Sequence, residues 1–347
     1  MASNTEATVI VRRQGRIGRL TLSRPKFLNA INREMIRTIR HALDGWRDDP
    51  AVHAVVIEGT GGRAFCAGGD IRWLREMALA GNYVETDTFF AEEYALNLAI
   101  ARYPKPYVAL IDGVCMGGGI GLSVHGTVRV VSETALLAMP ETSIGFFPDV
   151  GASFILPRLR PGFSMFLGLT GTRVSPADAM FLGLATHYVG RDGFNILADT
   201  IAEDGLAALA LAAIPAPPSA LIEQVDAVRC FDVHSVAEII SGLKALDNNW
   251  AQSTLTTLRA MSPSAVLWSF ELIRRGANQT LEQCLRAELT LSRHVSRHPD
   301  LQEGVRAMVV DKDHKPLWTP TRFEDVDIAK LAELFSETKL GRCGDRI

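Results

Sequence analysis

The sequence predicts an α/β fold, a sheet covered by helices on both faces, followed by a helical C-terminal region. Short apolar segments without strict alternation recur in the first 200 residues, and helical patterns separate them, as expected of strands buried on both faces. Beyond about residue 190 only helical patterns follow. We therefore divide the 347-residue chain into an α/β core, residues 1–200, and a helical C-terminal region, residues 201–347.

The first elements are two strands and a helix. Residues 8–22 carry two apolar segments around a turn at Gln14-Gly15, which predicts a pair of strands. Asn32 is a favourable N-terminal cap, and the apolar residues after it recur at helical spacing. Further strands are predicted at residues 54–57, 107–111 and 128–131, and helices at residues 88–101 and 118–125.

The second half of the chain is predicted to be almost entirely helical. Ser175-Pro176-Ala177-Asp178 combines a capping serine, a proline at the first helical position and an acid at the third. The longest apolar run, Leu206–Ile214, predicts a buried helix. Further helices are predicted at residues 236–246, 250–261, 264–275 and 280–298.

Composition excludes several classes of protein. The formal net charge is −3 and the basic residues are scattered, so neither a nucleic acid nor a membrane surface is an expected partner. No apolar run approaches the roughly 20 residues of a spanning helix. Residues 1–8 resemble neither a signal peptide nor a targeting helix, so a cytoplasmic location is expected.

The cysteines predict neither a disulfide framework nor a metal site, because they are odd in number, far apart and never in a CxxC pair. Cys66 and Cys115 lie in apolar segments and are expected to be core residues. The five cysteines are Cys66, Cys115, Cys230, Cys284 and Cys343.

Two glycine-rich turns carry the first chemical signal. One is Ala67-Gly68-Gly69-Asp70, and the other is Gly117-Gly118-Gly119. Glycines allow a ligand oxygen to approach the backbone closely, and a helix start offers free N–H donors. Side by side, the two turns would form an oxyanion hole. A dinucleotide site is excluded because the G-x-G-x-x-G spacing is absent, and a P-loop because its lysine is absent.

Several motifs in one order resemble the crotonase (enoyl-CoA hydratase/isomerase) superfamily, from about residue 9 to about residue 320. Some of them resemble the branch of that superfamily that hydrolyses 3-hydroxyisobutyryl-CoA. The motifs are Leu22–Ala30, Phe65–Asp70, Gly117–Gly119, Phe90–Tyr94, Met139–Thr142, Gly145–Gly151 and Glu303–Ala307.

The resemblance implies a core of ββα repeats wound as a spiral, with the CoA and thioester site in residues 1–200. Gly69 and Gly118 match the residues whose amides hold the thioester oxygen, and Ala67 lies where the backbone contacts adenine. Gly68 and Asp70 complete this substrate-binding turn, where Asp70 is also predicted to cap the following helix.

The acids decide which reaction is expected. In the hydratases two glutamates share a water molecule; here Glu141 retains one of them and Gly121 stands in place of the other. Glu141 is therefore expected to act as base or nucleophile in hydrolysis. Asp149 matches the second acid of the hydrolase branch. Glu93 matches a substrate-contacting acid, although the sequence does not decide whether Glu93 or its neighbour Glu92 faces the site.

The expected activity is hydrolysis of a short 3-hydroxyacyl-CoA, such as 3-hydroxyisobutyryl-CoA in valine breakdown. No cofactor is expected, since CoA is part of the substrate, and the oligomeric state is left open, with a homo-oligomer as one option. One alternative is a hydratase or isomerase activity on another acyl-CoA that uses Glu141 alone. A second alternative, from a different class, is a non-catalytic acyl-CoA-binding protein.

Overall fold

The computed structural model describes residues 7–336, and the fold within that range is mixed α/β. The strands are β1 (Val9–Gln14), β2 (Ile17–Leu22), β3 (Ala54–Gly59), β4 (Ala64–Cys66), β5 (Tyr107–Ile111), β6 (Val114–Met116), β7 (Val128–Val131), β8 (Leu136–Ala138) and β9 (His187–Tyr188). The α-helices are α1 (Arg33–Trp46), α2 (Ile71–Leu79), α3 (Tyr83–Ala101), α4 (Gly118–Val124), α5 (Ala152–Ile155), α6 (Phe163–Thr170), α7 (Pro176–Leu182), α8 (Arg191–Asp204), α9 (Ala207–Ala212), α10 (Val236–Leu246), α11 (Asn249–Ala260), α12 (Pro263–Gly276), α13 (Leu281–Val295), α14 (Pro299–Val305) and α15 (Ile328–Leu334).

The strands form two sheets. The larger has the order β1-β2-β3-β5-β7-β9, in which β1 and β2 are antiparallel and the later pairs are parallel. The smaller has the order β4-β6-β8. Along the chain, β3, β5 and β7 of the large sheet are each followed by one strand of the small sheet and then by helical structure. This is the ββα repeat that the family resemblance implied.

The central strands β3 and β5 of the large sheet are buried on both faces, as their unalternating apolar residues predicted. Val56 and Leu110 belong to a cluster that also contains Ile201 of α8, while Val55 and Ile57, which alternate with Val56, are buried as well. In a strand, neighbouring residues point to opposite faces, so burial at consecutive positions requires cover on both sides.

Contacts divide the chain into two compact units, and neither is a contiguous stretch. The sheet unit contains the chain up to Gly69, Ala95–Leu137 and Val174–Ser219. The helical unit contains Asp70–Tyr94, Ala138–Arg173 and the chain from Ala220 onward. The sequence-based division near residue 200 follows the order of elements along the chain, whereas this division follows packing.

The helical unit is organised around α12. Most residues of this helix are buried, and Ser262 caps it by accepting a hydrogen bond from Ala265 N. Gly276 lies at its end, where an added Cβ would approach Ser153 O to 1.9 Å. The backbones of α12 and α5 therefore meet at a distance that only glycine permits.

Most predicted elements are found with small shifts at their ends. Asn32, Ser175 and Asp70 cap α1, α7 and α2 as predicted, and the capping box between Ser175 and Asp178 is complete. Cys66 and Cys115 are core residues, as expected. Cys343 and residues 1–6 lie outside the described residues.

Two expectations need correction. The apolar run Leu206–Ile214 contains the short helix α9, but Leu211 is 88% exposed and only Ala208 and Leu209 are buried. Six consecutive helical residues point in every direction, so a helix packed on one side exposes some of them. The strands of the small sheet were also missed, because three residues are too few for a periodic signal.

Candidate active site

The first glycine turn is held by the loop that precedes α1. Ala67 N donates to Leu28 O at 3.0 Å, and Ile31 N donates to Gly68 O at 2.8 Å. The buried Asn29 side chain donates to Ala64 O at 2.9 Å and so ties the same loop to β4. Gly68 has φ +105°, a conformation that other residues rarely adopt. The motif at residues 22–30 therefore serves to shape this turn.

The second glycine turn lies directly against the first within the sheet unit. An added Cβ at Gly68 would lie 3.3 Å from Met116 O and 3.7 Å from Gly118 N, and one at Gly119 would lie 2.4 Å from Cys66 O. Gly118 is the first residue of α4, so its amide has no acceptor within that helix. The two turns are therefore side by side, the arrangement that the predicted oxyanion hole requires.

The predicted acids lie in the helical unit, and all three are buried. Glu93 is 3% exposed, whereas its neighbour Glu92 is only partly buried, which favours Glu93 as the candidate of the two. Glu93 lies on α3, and its Oε1 has no hydrogen-bond partner within residues 7–336. A buried acid oxygen without a partner is costly to keep, and such groups are typical of reaction sites.

Asp149 is joined to α3 by a tyrosine to which the sequence reasoning assigned no role. Tyr94 OH donates to Asp149 Oδ2 at 2.7 Å, and both side chains are buried. Tyr94 directly follows Glu93, so α3 places a free carboxyl and a hydrogen-bond donor together. The Phe90–Tyr94 motif thus contains both a buried acid and the hydrogen-bond donor to Asp149.

Glu141 begins a single 3-10 turn, Glu141–Ile144, whose backbone is fixed from several sides. Ser262 N donates to Thr142 O at 3.2 Å, and an added Cβ at Gly304 would lie 2.4 Å from the carbonyl carbon of Ile144. The Glu303–Ala307 motif therefore allows α14 to pack against this turn. Glu141 itself is 6% exposed, and its Oε2 has no hydrogen-bond partner among the described residues.

Burial raises the pKa of all three acids, and the charge of Asp149 adds to the shift of the other two. Burial raises the pKa of Glu141 well above its ordinary value, and the charge of Asp149 raises it further. Glu93 has a raised pKa for the same two reasons. Burial raises the pKa of Asp149 to about 7, although the Tyr94 hydrogen bond opposes the shift. Acids that titrate near neutrality are typical of groups that exchange protons with a substrate.

A fourth buried acid, Glu288 on α13, escaped the sequence reasoning. It is 0% exposed, and it accepts hydrogen bonds from Gly151 N at 2.7 Å and from Ser153 N at 3.0 Å. Burial raises the pKa of Glu288 to about 8. One signal could have identified it: Glu288 lies between Leu285 and Leu289 among the mostly apolar buried positions of the helix.

Side chains that could bind a metal ion are not clustered in the described part of the chain. Within residues 7–336, no three His, Cys, Asp or Glu side chains are grouped so that they could hold an ion. In the same range, no helix is both long and apolar enough to span a membrane. The candidate chemical groups described above are backbone amides in the sheet unit and buried carboxyl groups in the helical unit.

Comparison with known proteins identifies relatives across nearly the whole chain. A family model described as enoyl-CoA hydratase/isomerase matches residues 17–335. A protein of Rattus norvegicus named 3-hydroxyisobutyryl-CoA hydrolase, mitochondrial, is 40% identical over 349 residues, covering 96% of this chain and 90% of the relative. A Homo sapiens protein of the same name is 40% identical over 341 residues, covering 94% of this chain and 88% of the relative.

Solved structures with the same fold carry different titles. One titled as a carnitinyl-CoA dehydratase from Mycobacterium thermoresistibile has a TM-score of 0.91 and 39% identity, covering 97% of this chain and 99% of that one. One titled as an enoyl-CoA hydratase from Rhodobacter sphaeroides 2.4.1 has a TM-score of 0.90 and 38% identity, covering 95% of this chain and 97% of that one. The predicted crotonase-like fold is confirmed, while the reaction has to be argued from the residues.

Proposed function

This chain belongs to the enoyl-CoA hydratase/isomerase family, the crotonase superfamily, and on that premise we propose that it hydrolyses 3-hydroxyisobutyryl-CoA. Water and the thioester give 3-hydroxyisobutyrate and CoA: the acyl carbon gains the water oxygen, the carbon–sulfur bond breaks, and the sulfur leaves as a thiol after taking a proton. Support comes from the curated relatives of about 40% identity that carry this name and cover nearly the whole chain.

The observation that carries the proposal is the set of acids that the chain retains. Glu141 and Asp149 are both buried in the helical unit, and the charge of Asp149 raises the pKa of Glu141. The position that bears the second glutamate of the hydratases is Gly121, which has no side chain at all. Hydration of a double bond by the family's two-acid mechanism lacks one of its acids here, whereas hydrolysis needs only one acid and an oxyanion hole.

The glycine turns would stabilise the charge that develops on the thioester oxygen. We assign the two donors to the amides of Gly69 and Gly118, and contacts of the CoA nucleotide to the turn of Ala67, Gly68 and Asp70. Each donor of such a hole is worth about 3–4 kcal/mol of barrier by analogy with other enzymes. No metal ion or cofactor enters this proposal, because CoA belongs to the substrate.

Glu141 would perform the chemical step by one of two balanced routes. As a general base, it takes a proton from water while the water oxygen adds to the acyl carbon; the tetrahedral intermediate then expels the CoA thiolate, which takes the proton back from Glu141. As a nucleophile, its carboxylate adds to the acyl carbon, expels the CoA thiolate and forms an anhydride that water then hydrolyses. Because burial raises its pKa, Glu141 holds a proton more tightly than an exposed glutamate, and this strengthens it as a base near neutral pH.

Asp149 and Glu93 would recognise the 3-hydroxyl group of the substrate. Tyr94 OH donates to one oxygen of Asp149, and Glu93 Oε1 is without a partner among the described residues. A polar site built around a hydroxyl discriminates strongly against an analogue that lacks it, since its own buried groups would then stay unpaired.

Two other functions compete with this one. The solved structures titled as a dehydratase and a hydratase are as similar in sequence as the hydrolases, which keeps hydration as the main alternative. A non-catalytic acyl-CoA-binding protein is the other. It is disfavoured because binding alone does not require several buried acids, each of which costs free energy to desolvate.

A panel of acyl-CoAs separates these functions. We expect free thiol from 3-hydroxyisobutyryl-CoA and 3-hydroxypropionyl-CoA, less from isobutyryl-CoA, and little hydration of crotonyl-CoA. Efficient hydration of crotonyl-CoA without thiol release would establish the hydratase alternative. Tight binding of all the esters without any turnover would establish the binding protein.

The cellular setting is the finer part of the proposal. A role in valine breakdown follows from the substrate, and the sequence argued for a cytoplasmic location; both remain predictions. The names of the curated relatives place those proteins in mitochondria. Cell fractionation with an antibody against the chain would decide its location, and sedimentation would decide whether it forms a homo-oligomer.

A further inference from the structure

We propose that Glu288 is a positioning residue that clamps the backbone after Asp149 and thereby aims the Asp149 carboxyl group at the substrate, a role that rests on the proposed hydrolysis. Glu288 Oε2 accepts from Gly151 N at 2.7 Å, and its Oε1 accepts from Ser153 N at 3.0 Å and Ser153 Oγ at 2.5 Å. All three hydrogen bonds are buried, and all fall within four residues of Asp149.

The backbone that Glu288 holds has an unusual shape. Val150 has φ +53° and Gly151 has φ +87°, so two successive residues adopt the left-handed region. A β-branched residue is strongly disfavoured there and persists only where its surroundings enforce the conformation. Glu288 provides that enforcement, because its two oxygens engage the amides on both sides of Ala152.

The direction of the Asp149 side chain depends on this turn. Asp149 O accepts from Ala152 N at 2.8 Å, which closes the turn, and the side chain is left pointing at Tyr94 OH. Gly276 packs closely on Ser153 O, where an added Cβ would approach to 1.9 Å, and this contact restricts movement of α5 towards α12. If the clamp were released, we expect the turn to relax at Val150 and Gly151, the residues in the left-handed region that follow Asp149 directly.

The amides that Glu288 binds explain a carboxyl group at this position. Gly151 N and Ser153 N lie at the start of α5, where amides have no acceptor within their own helix. Burial nevertheless raises the pKa of Glu288 to about 8 in spite of the hydrogen bonds. Keeping an ionisable group at a core position is unfavourable, and such violations concentrate at functional sites.

The chain offers a matched control in Asp178. This carboxyl is also buried and also accepts three hydrogen bonds, from Ser175 N, Ser175 Oγ and Ser219 Oγ. It caps α7 in the sheet unit and has no part in the proposed reaction. Glu288→Gln and Asp178→Asn both replace one acceptor by an amide NH₂ group, so both should lower the melting temperature.

Kinetics then separates positioning from stability. Below the melting temperatures, Glu288→Gln should lower kcat for 3-hydroxyisobutyryl-CoA by about 10- to 100-fold, in line with the effect of a small misplacement of a reacting group. It should lower turnover of isobutyryl-CoA less, because that substrate has no hydroxyl for Asp149 to bind. Asp178→Asn should leave the ratio between the two substrates unchanged. Ser153→Ala, which removes one of the three bonds, should have a smaller effect in the same direction as Glu288→Gln.

A double-mutant cycle with Asp149→Asn completes the test. If Glu288 acts through Asp149, the double variant should be no slower than Asp149→Asn alone. The positioning role would be refuted if the losses of kcat caused by the two substitutions multiplied in the double variant. It would also be refuted by a folded Glu288→Gln variant with an unchanged ratio between the two substrates. The unmodified protein run in parallel tests the proposed function separately. If it performs a different acyl-CoA reaction, the cycle is measured on that reaction, and non-additivity there still decides the role of Glu288.

Discussion

The sheet unit and the helical unit contribute different kinds of chemical group. In the sheet unit the candidate groups are backbone amides, and glycines that allow close backbone contact fix their positions. In the helical unit they are carboxyl side chains, and burial sets their proton affinity. A backbone amide donor is unaffected by a change of side-chain charge, but it is lost when the shape of the backbone changes. A buried acid, in contrast, can lose its charge while the side chain keeps its shape.

The largest effect is expected from the loss of one backbone amide in the sheet unit. Gly118→Pro removes one amide proton at the first position of α4, where proline suits the helix. We expect kcat to fall by about 10²- to 10³-fold, the loss seen when one oxyanion-hole donor is removed. Gly118→Ala keeps the amide and serves as the comparison. Circular dichroism and CoA binding should accompany the thiol-release assay, and full activity in a well-folded Gly118→Pro variant would exclude the role of this amide.

Glu141→Gln removes a carboxyl group from the helical unit without changing the shape of the side chain. It removes the base or nucleophile, so kcat should fall by at least the roughly 10²-fold typical of lost acid–base catalysis. Affinity for CoA should hardly change, since the nucleotide is expected at the Ala67 turn. Glu92→Gln, beside the buried Glu93 but itself partly exposed, is the control. Near-normal kcat in Glu141→Gln, together with an Asp149→Asn variant inactive on every substrate, would reverse the roles of the two acids.

Asp149→Asn tests whether Asp149 and Glu141 have different roles in the proposed reaction. We expect turnover of 3-hydroxyisobutyryl-CoA to fall about tenfold more than turnover of isobutyryl-CoA, because the site loses its hydroxyl partner. Steady-state kinetics and rapid-quench thiol release on both esters measure this ratio. Equal losses on the two substrates would show that Asp149 takes part in the chemistry common to both.

The smallest effect concerns stability, and it follows from the raised pKa of Asp149. Burial raises this pKa from 3.8 to about 7, so between these values the folded protein holds a proton that the unfolded chain has lost. Stability contributed by this group is therefore greatest at low pH, falls as pH rises from about 4 to 7, and changes no further above that. Hydrolysis, which needs ionised acids, should rise over the upper part of this range.

Asp149→Asn should remove that pH dependence. Its melting temperature should match the unmodified protein near pH 4 and exceed it near pH 8, as expected where function is retained at the expense of stability. Scanning fluorimetry across this range is sufficient. Asp178→Asn, which loses a carboxyl group with several hydrogen bonds, should have a lower melting temperature instead. If the melting temperature of Asp149→Asn depended on pH as that of the unmodified protein does, the raised pKa of Asp149 would be contradicted.

The sequence predicted the fold class and most of the site, for identifiable reasons. Caps such as Asn32 and Ser175 act within a few residues of themselves, so their signal is local. The glycine turns could be recognised because a backbone donor needs glycine at a fixed place in the chain. The strands β4, β6 and β8 gave no signal, because three residues have no measurable period.

What the sequence determined by itself was the order of the longer elements and the two glycine-rich turns. The family resemblance added Glu141 and Asp149 as candidate acids and the absence of a second acid at Gly121. Tertiary structure alone decided that Glu93 is more deeply buried than Glu92. It also decided that Tyr94 donates to Asp149 and that Glu288 binds the backbone that follows Asp149. The physical reason is distance along the chain: Glu288 lies 137 residues from the amide of Gly151 that it binds. A hydrogen bond between such distant residues depends on how α13 packs against the turn after Asp149, and that packing exists only in the folded protein.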